Sequence, residues 1–140
     1  MFNPKSTLII ILAGLLIFSQ KQVQSQQNDT TGISPKPKIV VLNLASENYQ
    51  CIFDGPPETV LFHSGLITLQ PDESVGIHNT KAYEEMIIVL EGECQLISTK
   101  GEDFQLKYGV VAYCPPHTEH NIKNTGSKPL KYIYIATKAN

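Results

Sequence analysis

Three side chains in this chain have the types and the placement to hold a metal ion. His78 lies near the end of a short extended segment. Glu85 opens an apolar run, Met86 to Leu90, that a turn closes at Gly92. Downstream, the apolar run Gly109 to Tyr113 ends at Pro115-Pro116 and delivers His120. Two imidazoles and one carboxylate are a donor set for a divalent transition ion. Two separate hairpins supply them, so the set assembles only if the chain folds back on itself.

The elements that must position them read as strands. Ile39 to Leu44, Thr59 to Leu69, Val75 to Asn79, Glu84 to Leu90, Cys94 to Thr99, Phe104 to Lys107, Gly109 to Tyr113, Thr118 to Lys123 and Lys131 to Thr137 are short runs rich in apolar, β-branched and aromatic residues. Turn signals separate them: Asp54-Gly55-Pro56-Pro57, Pro71-Asp72-Glu73-Ser74, Glu91-Gly92-Glu93, Lys100 to Asp103 and Asn124 to Ser127. Ala45 to Cys51 is ambiguous, and Ser64-Gly65 is a candidate bulge. No strand–helix–strand unit is visible, so the pattern predicts an all-β sandwich or barrel of antiparallel strands. Residues two apart share a strand face. Glu85, Ile87 and Val89 therefore point one way and Met86, Ile88 and Leu90 the other, which predicts a strand buried on both faces.

Residues 1–25 read as a secretory signal peptide. Lys5 precedes the apolar run Leu8 to Phe18, and Val23-Gln24-Ser25 fits a small-x-small cleavage site. The run is too short to span a bilayer. Export to a periplasmic or extracellular location is expected, with no stable membrane span after cleavage. Residues 26–38 are polar and Pro-containing and read as a disordered lead-in. The folded domain is expected over 39–140. Cleavage removes Lys5 and Lys21, leaving nine lysines against thirteen acids, a balance of −4. That charge shows no nucleic-acid footprint. The chain has no arginine, which speaks mildly against a bidentate phosphate or carboxylate clamp. Cys51, Cys94 and Cys114 allow at most one bridge; the first reading is three small buried hydrophobes, the other an exposed thiol at Cys114.

Both histidine-bearing stretches resemble the two motifs of the cupin superfamily. In the first, His78, Glu85 and Gly92 fall into the pattern, Gly76 lies closer to His78 than the pattern asks, and Thr80 stands where a second histidine is expected. In the second, Gly109, Pro115, His120 and Asn124 fall into place, and His117 stands where glycine is expected. The resemblance covers about Thr59 to Thr137 and implies a cupin-type double-stranded β-barrel, a small jelly roll. It implies that His78, Glu85 and His120 ligate Fe, Mn, Zn, Ni or Cu inside the barrel. Water, the Thr80 hydroxyl or His117 remains open as a fourth ligand, with Asn79 and Glu84 behind. The implied activity is dioxygenase-like oxidation or isomerisation of a small molecule, with His117 or Glu84 as candidate proton shuttle. A non-catalytic small-ligand or sugar-binding barrel is the second reading. A metal-free barrel, or a homodimer through edge strands, is the third. His63 lies outside both motifs and reads as structural, and Tyr132 and Tyr134 read as packing on one strand face.

Overall fold

A computed structural model describes residues 35–139; residues 1–25, read above as a signal peptide, residues 26–34 of the expected lead-in and Asn140 lie outside them. Among the described residues, nine strands form two antiparallel sheets. They are β1 (Gln50–Asp54), β2 (Phe62–Leu69), β3 (His78–Asn79), β4 (Tyr83–Glu91), β5 (Glu93–Ser98), β6 (Phe104–Lys107), β7 (Val111–Cys114), β8 (Glu119–Asn124) and β9 (Leu130–Lys138). The larger sheet runs β1-β2-β9-β4-β7 and the smaller β3-β8-β5-β6. The expected all-β jelly roll is what the chain forms.

Strict alternation builds the core. In β8, His120, Ile122 and Asn124 are buried while Glu119 is exposed, as period-two side chains require. Leu69, Leu130, Tyr132, Ile87 and Val89 of the larger sheet face Ile122, Leu96, Cys94 and Leu106 of the smaller. Gly92 makes the β4–β5 turn at φ +80°, where a β-carbon would fall 2.8 Å from the Pro129 carbonyl oxygen. Only glycine fits both demands.

Several expectations are corrected. Ile39 to Leu44 forms no strand, and Ile39 is 91 % exposed. Its backbone is held instead by the Gln50 side chain, which accepts from Asn43 N–H and donates to the Val41 carbonyl. The Ser46 and Leu44 carbonyls also accept from Thr68 and Lys131 on the outer face of the larger sheet. The edge position that a strand here would have needed belongs to β1. The irregularity near Ser64-Gly65 is on the partner strand: β2 pairs evenly with β9, while the register of β1 shifts between Cys51 and Phe53. Strand β4 is buried on one face only. Ile87 and Val89 are fully enclosed, but Met86 on the other face is 36 % exposed.

Candidate metal centre

Three strands from two sheets meet at one end of the barrel. β3 and β8 pair so that His78 and His120 are direct register partners, which places both imidazoles on the inner face of the smaller sheet. Their ring centroids are 4.3 Å apart. From the larger sheet, β4 carries Glu85 inward. Glu85 Oε2 lies 3.3 Å from His120 Nε2 and 3.9 Å from His78 Nε2. One ligand atom from each of the three residues lies within 4.8 Å of the others.

The hydrogen bonds around the triad leave the inward atoms unspent. The ring Nδ1 of His78 is 3.0 Å from the Gly76 carbonyl oxygen. An N–H there donates to that carbonyl and leaves Nε2 with a lone pair facing Glu85. His120 is different. Its side chain is 1 % exposed, and neither ring nitrogen has a hydrogen-bond partner. The 3.3 Å approach to Glu85 is therefore close but badly aligned. A buried ring with two unpaired nitrogens costs roughly 1–3 kcal/mol for each group left unsatisfied. A cation at the convergence point would take up that lone pair, so these residues fit a metal ion.

Burial pushes the Glu85 carboxyl up, but the facing His120 and His78 rings outweigh it and hold it at about 2. Burial lowers the His78 imidazole, and the Glu85 carboxylate with the Gly76 carbonyl more than offsets that, so its pKa is raised. A carboxyl in the unfolded chain titrates near 4.5. As pH falls below that, the unfolded state takes up its proton first. The stability that Glu85 contributes is full above about pH 4.5 and is lost as pH drops towards 2. Thermal unfolding of metal-free protein from pH 7 to pH 2.5 is expected to show this loss. Glu85→Gln is expected to flatten it, and an unchanged acid slope would contradict the geometry.

Thr80 does not complete the ligand set. Its buried hydroxyl donates to the Pro115 carbonyl and accepts from Thr118 N–H, both at 2.9 Å. That pair of bonds ties the end of β3 to the turn before β8. His117 is exposed and outside the triad, at φ +61° with its N–H donating to the Lys81 carbonyl. The left-handed backbone explains why the family pattern has glycine there. Glu84 is carried on the opposite face of β4 from Glu85, where its carboxylate accepts from the Tyr113 hydroxyl at 3.0 Å. Asn79 is exposed and accepts from Lys81 N–H. The structure thus brings His78, Glu85 and His120 together and leaves His117, Glu84, Asn79 and Thr80 out of that group.

All three cysteines are free. Cys94 and Cys114 are buried, and burial pushes their thiols up to about 11 and 12; Cys51 is exposed. The first reading, three buried hydrophobes, holds for Cys94 and Cys114 and is corrected at Cys51, and the reading of Cys114 as an exposed thiol is corrected too: it packs beside Glu85 on the inner face, as that residue's register partner. Sequence reasoning passed over one neighbour of the triad. His63 is on the same inner-face row as Glu85, with only Ala136 between them. No linear motif marks it, because the link runs through the pairing of β2, β9 and β4.

Comparison with known proteins agrees with this architecture. A Cupin 2 conserved barrel domain protein from Salinispora arenicola superposes with a TM-score of 0.62 at 22 % identity, over 74 % of this chain and 91 % of that one. The Cnp3 cupin domain of Schizosaccharomyces pombe gives 0.62 at 19 %, over 72 % and 70 %. A predicted oxalate decarboxylase from Thermotoga maritima gives 0.53 at 20 %, over 71 % and 99 %. An uncharacterised protein of Methanocaldococcus jannaschii is 39 % identical over 57 residues, which are 41 % of this chain and 45 % of that protein's length. The family model described as "Cupin domain" matches residues 65–136, just over half of the chain and the span that carries all three converging residues. On that match the chain belongs to the cupin domain family.

Proposed function

We propose that this protein is an exported cupin that binds one divalent transition ion through His78, Glu85 and His120 and offers it to a small organic molecule. The observation that carries the reading is His120, fully buried with both ring nitrogens unpaired and one of them 3.3 Å from a carboxylate oxygen. Fe, Mn, Zn, Ni and Cu all suit two imidazoles and a carboxylate. The bound ion would supply Lewis-acid or redox chemistry of the dioxygenase or isomerase kind. Glu85 and His78 keep 14 % and 20 % side-chain exposure, so a ligand has a way in from the barrel mouth.

The test is metal analysis of protein made without a polyhistidine tag. Wild type is expected to carry about one ion per chain, and Glu85→Ala less than about a tenth of that. Equal metal content in the two proteins would overturn the assignment. Turnover or O2 consumption by the loaded protein separates an enzyme from a binding barrel. Export rests on residues 1–25; N-terminal sequencing of protein from the culture medium or periplasm is expected to begin at Gln26.

Thr80 positions the ligands in this reading. Thr80→Val keeps the side-chain shape and removes both hydrogen bonds. It is expected to weaken metal binding about 10–100-fold, the range for groups that orient ligands, and Thr80→Ser to restore it. Calorimetric titration of the three proteins checks this; unchanged affinity in the valine variant would remove the role.

A further inference from the structure

The outer face of the larger sheet, away from the metal triad, is apolar on both halves, and the halves differ in shape. In the order β1-β2-β9-β4-β7, β9 is the central strand. A ridge of chain, residues 38–46, lies along the β1–β2 half. Lys38 sits over the Phe53 ring, Gln50 Nε2 donates to the Val41 carbonyl, and the Leu44 and Ser46 carbonyls accept from Lys131 and Thr68. The ridge alternates as an extended chain does. Val40 and Leu42 are half-buried, while Ile39 and Val41 are 91 % and 82 % exposed. An apolar row is thus held in place and turned to solvent. On the β4–β7 half, Met86, Val111 and Tyr113 are exposed on the same outer face.

The register puts the ridge level with those exposed residues. Gln50, Leu66, Ile133, Ile88 and Val111 are successive partners across the sheet, so Val41, bonded to Gln50, is level with Val111. Phe53, Ser64, Ile135, Met86 and Tyr113 form the next outer-face row, so Ile39, adjacent to Lys38, is level with Tyr113. Glu84 lies one row further out, in the direction in which the chain runs back to the exposed Lys36.

We propose that this outer face is a two-fold interface between two copies of the chain, with Ile39 and Val41 of each copy seated on Met86, Val111 and Tyr113 of the other. A two-fold axis running along β9 exchanges the β1 and β7 sides and keeps every residue at its own level. Val41 of one copy then meets Val111 of the other, and Ile39 meets Tyr113. The half-buried Ile133 and Ile135 meet their own counterparts near the axis. Lys36 of one copy comes to Glu84 of the other, opposite charges at the rim. Five strands about 4.8 Å apart and about 20 Å long give a footprint of about 500 Å² per copy. The two copies together offer about 1,000 Å², the area a specific interface needs.

The test is sedimentation equilibrium of the mature protein, of Val41→Lys, of Val111→Glu, and of an equimolar mixture of the two variants. Wild type is expected to be a dimer at about 100 µM, because interfaces of this kind hold at micromolar concentration or below. Either variant alone would bury two unpaired charges per dimer and is expected to associate at least about 100-fold more weakly. In the mixture, one contact sets the new ammonium on the new carboxylate and the other is Val41 on Val111 as in wild type, so the dimer is expected to return. Phe104→Lys, on β6 of the smaller sheet, is expected to leave the dimer unchanged. Both variants are expected to keep the wild-type circular dichroism; Ile39→Lys with Met86→Glu repeats the test at the second contact. A monomeric wild type, which is also the result if residues 26–34 cover this face within one chain, overturns the interface. So does a dimer that survives either variant, or a mixture that stays monomeric.

Discussion

Replacing His120 by alanine is expected to cost more than 100-fold in metal affinity and to abolish metal-dependent stabilisation. Changes to groups that merely orient a ligand cost 10–100-fold, so loss of a ligand exceeds that range. An ion that binds only the folded state stabilises it by about 2.7 kcal/mol at a hundredfold excess over its Kd. For a domain of about 100 residues this raises Tm by about 10–20 °C. Wild type is expected to show such a rise on adding metal and His120→Ala to show none. The metal-free proteins are expected to differ much less. The substitution leaves a cavity, but it also removes two buried nitrogens that have no partners. Scanning calorimetry with and without metal reads both quantities. Equal metal-induced shifts in the two proteins would contradict the role of His120.

The second large effect is at the far end of the same strand. Asn124 is fully buried, and its amide donates to the Leu69 and Lys128 carbonyls at 2.9 Å each. Its side-chain oxygen accepts from Gly126 N–H at 2.9 Å. One side chain thus joins β2, β8 and the turn into β9. Asn124→Ala removes three bonds and leaves the buried Leu69 carbonyl, the Lys128 carbonyl and the Gly126 N–H short of a partner, an expected loss of about 3 kcal/mol. Asn124→Asp is expected to be at least as damaging at pH 7, because a carboxylate would face those two carbonyls. Urea unfolding checks the order; a loss under about 1 kcal/mol for either variant would contradict it. Four residues of strand separate Asn124 from His120, about 13 Å. Metal affinity of whatever remains folded is expected to be unchanged.

The cupin motifs were legible in the sequence because the spacings from His78 to Glu85 and Gly92 and from Gly109 to Pro115, His120 and Asn124 survive in it, although Gly76 is displaced, and they led directly to His78, Glu85 and His120. The strands β4 to β9 were legible to within about two residues because their alternation matches one buried face. Ile39 to Leu44 misled because its composition favours a strand, and composition does not say whether an edge is free for pairing. The two-sided burial expected of β4 failed for a related reason: Met86 and Ile88 are apolar, but apolar composition does not say that a face will be covered, and Met86 is exposed. His63 was invisible as a neighbour of Glu85 because their proximity is a matter of register across β9. Thr80 was visible as a departure from the pattern. Its two hydrogen bonds to the turn before β8, which show what the hydroxyl does, required coordinates.

The most direct measurement is anomalous diffraction from crystals of the protein grown with a transition metal. The expected result is a single strong peak within about 2–2.5 Å of His78 Nε2, His120 Nε2 and a Glu85 carboxylate oxygen. No peak at that point, with the three side chains placed as described here, would contradict the account.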